Sequence, residues 1–327
     1  MADLKDIRGI RAQALTSDPD QPGSISQIYY NDTAGVFKAL KEGSAADGTW
    51  SSGGNLNTAR FNMGTSGTQT ATLAFAGKTS TEVNNVESYN GSSWSETTEV
   101  NQLRRSLGSS GTQTAALAFA GQIPPGTAVT ELWNGSTWTE VGDLNDARTQ
   151  GSQSRIGTQT DTYYAGGETP ATTSNTEYWD GSSWTEGTEI NEAKKTFSGA
   201  GVVSTASIIA GGAAPGGNSV NAEIYDGTSW TEVGNLNTAG QGHGAGGTST
   251  DGFVAAGSRP SNTAKTESWD GTSWTEINDM ASARNASIGT GTGISAIMIG
   301  GNTPSGAVSS CEEFTAPATK AVTITSS

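Results

Sequence analysis

A tryptophan recurs along most of this chain at an almost constant interval. The spacings are 44, 44, 46, 46 and 44 residues, and the tryptophans are Trp50, Trp94, Trp138, Trp184, Trp230 and Trp274. A period of roughly 40–50 residues is typical of repeat architectures, in which each unit buries its faces against neighbouring copies. The chain is therefore expected to fold as an array of related units.

Other residues keep the same phase as the tryptophans. A Glu-x-aromatic triplet precedes five of them, and a sixth triplet, at Glu312 and Phe314, has no tryptophan after it. An apolar residue follows each tryptophan by six positions. Ten positions after it the residue is Arg or Lys in five units and Gly240 in the other. Registered positions of this kind exclude a chance pattern.

Each unit is predicted to contain four short strands. The apolar runs alternate, as in Leu73 and Phe75, and are bounded by Gly, Thr, Ser and Asn, which is typical of strands. Asn-Gly or Asp-Gly pairs lie between the aromatic residue and the tryptophan and predict tight hairpins. They begin at Asn90, Asn134, Asp180, Asp226 and Asp270. We name the four strands of a unit a, b, c and d in chain order.

The units are predicted to close into an all-β propeller of six blades. A lone four-stranded sheet cannot bury both faces, whereas radial repetition buries them and leaves only short edges. The 45 glycines among 327 residues suit crowded inner strands. The C-terminal unit lacks a tryptophan strand and the N-terminal region has an orphan one at Trp50. Joining them removes two free edges, so the Trp50 strand is expected to be strand d of the last blade.

The order of Arg, a glycine pair, Glu-x-aromatic and Trp resembles the kelch repeat, which implies a kelch-like β-propeller. The glycine pair is complete at Gly166-Gly167, Gly211-Gly212 and Gly300-Gly301. In the other three units a single glycine is interpreted as the first of the pair, at Gly77, Gly121 and Gly257. The resemblance covers residues 46–316, which are assigned to the propeller. Residues 1–45 are interpreted as an N-terminal docking segment and residues 317–327 as a C-terminal strand or tail.

The N-terminal region adds a second resemblance. The combination SDP, PG, IYYNDT and GVFK, followed by WSSGGNLNTAR and GTQTAALAFAG, resembles repeat proteins of marine bacteriophages, especially those of cyanobacteria. The resemblance implies a virion protein whose first 45 residues dock onto other virion proteins, present in multiple copies per particle. The expected localisation is the virion, assembled in the host cytoplasm and released by lysis.

Charge and composition exclude several function classes. The formal net charge of −15 repels phosphate backbones, so nucleic acid is not an expected partner. A single cysteine, Cys311, and a single histidine, His243, argue against multi-cysteine and His-rich metal sites, and no metal or cofactor is expected. No apolar run is long enough for a membrane span, and Asp3 and Asp6 disfavour a secretory signal.

The candidate binding site is the face of the disc formed by the b–c and d–a loops. The b–c loops vary most, and variable loops on a repeated scaffold commonly carry specificity. The d–a loops add amides and cations that suit an anionic or polyhydroxylated ligand. The candidate binding residues are Asn57, Arg60, Asn101, Arg104, Asn145, Arg148, Asn191, Lys194, Asn237 and Arg284. The alternative is that the arginines satisfy backbone carbonyls within the propeller.

The sequence favours a non-enzymatic function. Each glutamate that follows a tryptophan by two positions is expected on a solvated outer edge, far from its copies, so paired carboxylates for catalysis are not predicted. The leading hypothesis is a tail- or fibre-associated virion protein that attaches to a host-surface glycan or protein. One alternative is a decoration protein that contacts only other virion proteins. Another is a bacterial carbohydrate-binding or protein-adaptor propeller.

Overall fold

The computed structural model describes residues 13–15, 28–42, 45–152, 155–317 and 319–323. The chain divides into two compact units. The larger comprises Thr49–Thr315, and the smaller comprises Met1–Gly48 together with Ala316–Ser327. Residues 1–12 and 16–27 of the predicted docking segment lie outside the described residues.

The smaller unit is built around a four-stranded sheet. Its strands, in spatial order, are Gln13–Leu15, Ile28–Asn31, Val36–Glu42 and Thr319–Thr323. The first pair is parallel and the other two pairs are antiparallel. A short 3-10 helix follows at Ala45–Asp47. Segments from both ends of the chain therefore share one sheet, with the C-terminal residues 319–323 as its last strand.

The larger unit is a six-bladed β-propeller, as the repeat predicts. Blade 1 consists of Gly64–Thr68, Ala71–Phe75, Val86–Tyr89 and Trp94–Thr97. Blade 2 consists of Gly108–Gly111, Ala116–Phe119, Thr130–Trp133 and Trp138–Glu140. Blade 4 consists of Ser198–Val203, Ala206–Ala210, Ala222–Tyr225 and Trp230–Glu232. Blade 5 consists of Gly244–Gly247, Gly252–Ala255, Thr266–Trp269 and Trp274–Ile277.

Blades 3 and 6 depart slightly from this plan. Blade 3 has strands b to d at Thr162–Ala165, Thr176–Trp179 and Trp184–Glu186, and the place of strand a is taken by bridges at Arg155 and Ile156. Blade 6 consists of Ile288–Thr292, Ser295–Ile299, Cys311–Thr315 and Thr49–Ser52. Three b–c loops contain short hairpins, at Glu168–Thr169 with Ala171–Thr172, Ala213–Ala214 with Gly217–Asn218, and Asn302–Thr303 with Gly306–Ala307.

The ring is closed by the strand that carries Trp50. Trp50 pairs with Phe314 in antiparallel register, so the two ends of the propeller share blade 6. The indole packs against Phe314 at a ring-centroid distance of 5.1 Å, approaches Phe253 of blade 5 at 6.1 Å and donates from Nε1 to Thr266 Oγ1. The prediction that this N-terminal strand completes the sixth blade is confirmed.

The tryptophans of the outer strands pack between blades. Trp138 of blade 2 lies in a buried cluster with Leu73 and Phe75 of blade 1, at a ring distance of 5.1 Å from Phe75. Trp94 likewise packs against Ile288 and Ile297 of blade 6. Because one large ring per blade fills each junction, the thin aliphatic core is sufficient to hold the ring together.

The predicted c–d hairpins are present, and their turns depend on the glycine. In blade 1, Gly91 has φ of 91°, a conformation that side chains rarely adopt, and Asn90 Oδ1 accepts from the N–H groups of Ser92 and Ser93. The Asp-Gly turns have the same geometry, with Asp180 Oδ1 accepting from Ser182 and Ser183.

A closed ring of backbone hydrogen bonds runs around the axis. One residue per blade, two positions after the repeated cation, donates its N–H to the carbonyl of its counterpart in the preceding blade, over distances of 2.7 to 3.1 Å. All six have positive φ, between 50° and 65°. They are Asn62, Ser106, Gln150, Thr196, Gly242 and Ala286. The ring is complete, because Asn62 of blade 1 donates to the carbonyl of Ala286 in blade 6 and every donor therefore has an acceptor.

Candidate functional site

The loop face comprises the b–c and d–a loops. The b–c loops are residues 76–85, 120–129, 166–175, 211–221, 256–265 and 300–310. The d–a loops are residues 53–63, 98–107, 141–151, 187–197, 233–243 and 278–287. A backbone bridge joins the two loops of each blade, as between Phe61 and Lys78 in blade 1.

A glycine in each b–c loop fastens neighbouring blades. Gly77 N donates to Arg104 O of the next blade at 2.8 Å, and Gly167 donates to Lys194 O at 2.9 Å. Gly77 is thus equivalent to the second glycine of a pair, and the interpretation of it as the first was wrong. The first position is Ala76, which adopts φ of 57°. Its N–H donates to Asn85 O as that of Gly166 does to Asn175 O, so the missing glycine is replaced by an alanine in the same backbone conformation.

The correction holds in two further blades. Ala120 and Ala256 precede Gly121 and Gly257 with φ of 57° and 61°. Gly121 and Gly257 donate to the carbonyls of Arg148 and Arg284 in the next blades. The glycine that donates the cross-blade hydrogen bond is therefore the second of the pair, and this is the one that these blades retain.

The repeated cation lies in the interior of its blade. The Arg104 side chain is fully buried, and its Nη2 lies 3.0 Å from Glu131 Oε1 on strand c. Nη1 donates to Ala120 O and Nη2 to Ala118 O, both at 3.2 Å. Burial lowers the pKa of Arg104 to about 10, partly offset by Glu131, so the guanidinium is charged at neutral pH. Its N–H groups satisfy backbone carbonyl groups at the end of strand b that would otherwise lack a hydrogen-bond donor.

The other repeated cations have the same environment. Their side chains are all fully buried, and their distances to the strand c glutamate are between 2.8 and 3.1 Å. The pairs are Arg60–Glu87, Arg148–Glu177, Lys194–Glu223 and Arg284–Glu312. Hence none of these charged groups faces solvent, as the structural alternative expects. A binding site for an anionic ligand on the loop face would have to draw its positive charge from other residues.

The predicted asparagines are exposed, but their amide groups are engaged. Asn101 donates from its backbone N and from Nδ2 to Glu131 Oε2, and Nδ2 also donates to Trp138 O. The glutamate therefore holds both the cation and the start of the d–a loop. Each of the other asparagines also donates from Nδ2 to the carbonyl of its tryptophan, and these are Asn57, Asn145, Asn191 and Asn237.

Blade 5 obtains its cation from a different segment. Gly240 stands at the cationic position, and Arg259 from the b–c loop forms the ion pair with Glu267 instead, with both side chains at most 2% exposed. A Cβ on Gly240 would lie 2.6 Å from Arg259 Cγ, so the glycine leaves room for the replacement. Arg259 is not among the residues predicted from the sequence. The signal was the arginine in the b–c loop of the one unit without a cation.

His243 is buried beside this replaced pair. It precedes strand a, is 1% exposed, and neither ring nitrogen has a hydrogen-bond partner among the described residues. Burial, and secondarily the charge of Arg259, lowers the pKa of His243 to about 3. The imidazole is therefore neutral at neutral pH and acts as a packing group.

Other chemistry-bearing side chains are also structural. Cys311 is buried at the start of its strand, and burial raises the pKa of its thiol to about 11, so the thiol is protonated at neutral pH. The described residues contain no group of three or more His, Cys, Asp or Glu side chains placed to hold a metal ion. None of the helices in the described ranges is long and apolar enough to cross a bilayer.

Among the described residues, a cleft of ligand size lies on the loop face at the junction of blades 2 and 3. Its volume is about 510 Å³. Gln122 and Pro125 of the blade 2 b–c loop form one side, and Glu168 and Pro170 of the blade 3 b–c loop form the other. Thr149 lies between them. Its Oγ1 is buried and has no hydrogen-bond partner among the described residues.

Comparison with known sequences gives no family assignment. No protein-family profile matches the chain. The search of curated proteins gives no significant match either.

Proposed function

We propose that this chain is a kelch-type propeller of a bacteriophage virion, and that its loop face binds a component of the host surface. In this proposal the protein acts by binding and catalyses no reaction. Several copies on one particle would make a weak single-site affinity sufficient, because multivalent attachment raises the effective concentration of each further site.

The contrast between the framework and the loops carries the proposal. The residues that shape each blade recur in five or all six units and make recurring contacts, such as Arg104 with Glu131. The b–c loops that this framework fixes differ in composition, as in QIPPGTA at 122–128 and SRPSNT at 258–263. A rigid scaffold that presents differing loops on one face is the arrangement that binding proteins commonly use.

The repeated contacts also support the kelch resemblance. The cation donates to backbone carbonyls, and the glycine donates a hydrogen bond to the adjacent blade. The glutamate accepts from the d–a loop, and the tryptophan packs between blades. Each residue type that carries the resemblance thus has one recurring structural role. The phage origin is supported by the resemblance of the leader, whose IYYN and GVFK segments contribute to two paired strands of the smaller unit.

Binding of the full-length chain to intact cyanobacterial cells tests the attachment function. Ala147→Arg, on the exposed part of the loop face, is expected to reduce binding. Ser136→Arg, on an exposed c–d turn of the opposite face, is the matched control and is expected to leave it unchanged. An equal effect of the two variants would argue against the loop face, and no binding by the wild-type chain would contradict attachment.

Mass spectrometry of purified phage particles tests the location. We expect peptides of this chain in the particles. Their absence would contradict a virion function and favour an adaptor propeller. Their presence without cell binding would favour a decoration protein that contacts only other virion proteins.

A further inference from the structure

The cleft between blades 2 and 3 contains a repeat position that is occupied by a short residue. The residue directly after the cationic position is Phe61, Arg105, Thr149, Lys195, Gln241 or Asn285 in the six units. Arg105 reaches back to Glu82 of the preceding b–c loop at 3.4 Å, and Lys195 reaches back to Glu168 at 2.7 Å. Thr149 is too short to make such a bridge, and it lines the cleft.

We infer that this cleft binds a neutral sugar unit of a surface glycan. The inference deepens the proposed attachment function and rests on it for the biological role. A volume of about 510 Å³ lies within the usual range for small-molecule sites, roughly 300–1,000 Å³, and accommodates one or two pyranose rings.

The polar groups of the cleft suit hydroxyl groups. Gln122 Oε1 accepts from Arg105 Nε, which orients the amide and leaves its NH₂ to donate to a ligand. The Glu168 carboxylate is held by Lys195 through Oε2 and has further lone pairs for hydroxyl donors. A sugar hydroxyl both donates and accepts, so it can use both partners. Pro125 and Pro170 offer apolar surfaces for the C–H faces of a ring.

Thr149 adds a third polar group. Its buried Oγ1 lacks a partner, which is an unfavourable state for a hydroxyl. Rotation about the Cα–Cβ bond exchanges the hydroxyl with the methyl group, and this places a donor and acceptor toward the cleft and an apolar group in the interior. A hydroxylated ligand would stabilise that rotamer.

The same residues disfavour other ligand classes. An extended peptide needs free backbone groups, but Thr149 and Glu168 use theirs on each other, with N to O distances of 3.3 and 2.9 Å. An anionic sugar would meet the Glu168 carboxylate. A cationic ligand would compete with Lys195, which already holds that carboxylate at 2.7 Å.

The experiment measures binding of three neutral disaccharides to the 327-residue chain by isothermal titration calorimetry and NMR. They are maltose, lactose and a mannose disaccharide, and sialyllactose is the anionic probe. Thr149→Arg should fill the cleft as Arg105 does at the neighbouring junction. Asn285→Arg makes the same change at the same repeat position of blade 6 and is the control. We expect at least one neutral disaccharide to bind wild type and Asn285→Arg, and Thr149→Arg to lose that binding.

Each other outcome overturns a specific statement. If Thr149→Arg binds the neutral disaccharide as wild type does, or if no neutral disaccharide binds, the inference is wrong. Preferential binding of sialyllactose overturns the neutral class. Cell attachment that survives Thr149→Arg leaves the proposed function standing with another site, whereas disaccharide binding without cell attachment retains the cleft and contradicts the attachment function. A thermal-unfolding measurement on both variants verifies that they are folded.

Discussion

Blades 2 and 5 each pair the buried glutamate of strand c with a guanidinium. The arginine that supplies it comes from a different loop in each blade. In blade 2, Arg104 comes from the d–a loop and pairs with Glu131. In blade 5 that position is Gly240, and Arg259 reaches Glu267 from the b–c loop. What the two blades share is the charge at the carboxylate, since an unpaired buried carboxylate is strongly destabilising. The repeated cation is therefore best understood as a structural group, whichever loop supplies it.

Removing the cation of blade 2 should have the largest effect. Arg104→Ala leaves Glu131 buried without a counter-charge, and we expect the free energy of unfolding to fall by about 3–5 kcal/mol. Denaturant unfolding of the full chain, followed by tryptophan fluorescence, measures the loss. Lys265→Ala is the control, because Lys265 and Glu276 form an ion pair with both side chains largely exposed. A loss no greater than that of the control would contradict a structural role of the buried pair.

Exchanging the source of the cation in blade 5 should give a smaller net change. Arg259→Ala alone is expected to cost about 3–5 kcal/mol, as in blade 2. Gly240→Arg alone is also destabilising, because its Cβ would lie 2.6 Å from Arg259 Cγ and 2.7 Å from His243 Nε2. The double variant supplies the guanidinium from the same repeat position as in blade 2 and removes the Arg259 contact, so that of these two contacts only the one with His243 remains.

A double-mutant cycle on these blade 5 variants decides the point. The unfolding free energy of the double variant should exceed that of either single variant, which is a strongly non-additive result. Additive losses would mean that an arginine at position 240 does not replace Arg259 as the partner of Glu267.

Near neutral pH the smallest expected effect is the titration of His243 in blade 5, because it lowers stability only as the pH falls. His243 has a pKa of about 3 in the folded chain, against about 6.5 when unfolded, so the unfolded chain takes up the proton first as pH falls. Stability is complete above about pH 6.5 and is lost toward pH 3, by up to about 1.4 kcal/mol per pH unit. In blade 2 the equivalent residue is Leu107.

His243→Leu therefore imitates blade 2. Between pH 7 and pH 4 this variant should lose less unfolding free energy than wild type, while the carboxylates titrate alike in both. The measurement is the denaturation midpoint at each pH. Parallel pH profiles would show that His243 does not have the lowered pKa.

Much of the architecture could be predicted, because each repeat places the same residue types at the same spacing along the chain. The Trp and Glu-x-aromatic positions gave the strand order, and the lone triplet at Glu312 and Phe314 together with the orphan Trp50 gave the closure. The role of the tryptophans as junction fillers was also accessible, because a fixed phase in every unit is what a packing requirement produces. The glycine assignment failed, since only the hydrogen bond of Gly77 to the next blade identifies its position.

The candidate site was much less predictable. The sequence correctly placed Arg60 and its counterparts in the d–a loops. A position in a loop, however, does not determine whether the side chain points to solvent or into the blade. Here the open carbonyls at the end of strand b and the strand c glutamate hold it inside. The cleft at Thr149 is likewise visible only after the loops of two blades are placed together.

The sequence alone thus determined the number of blades, their strand order and the strand that closes the ring, because periodic residues in register report a local structure that every unit repeats. Tertiary structure decided which cation serves each carboxylate, that Arg259 replaces the missing one, and which junction remains open. These depend on the reach of side chains between segments that are distant along the chain, and on the space left when two differing loops pack side by side.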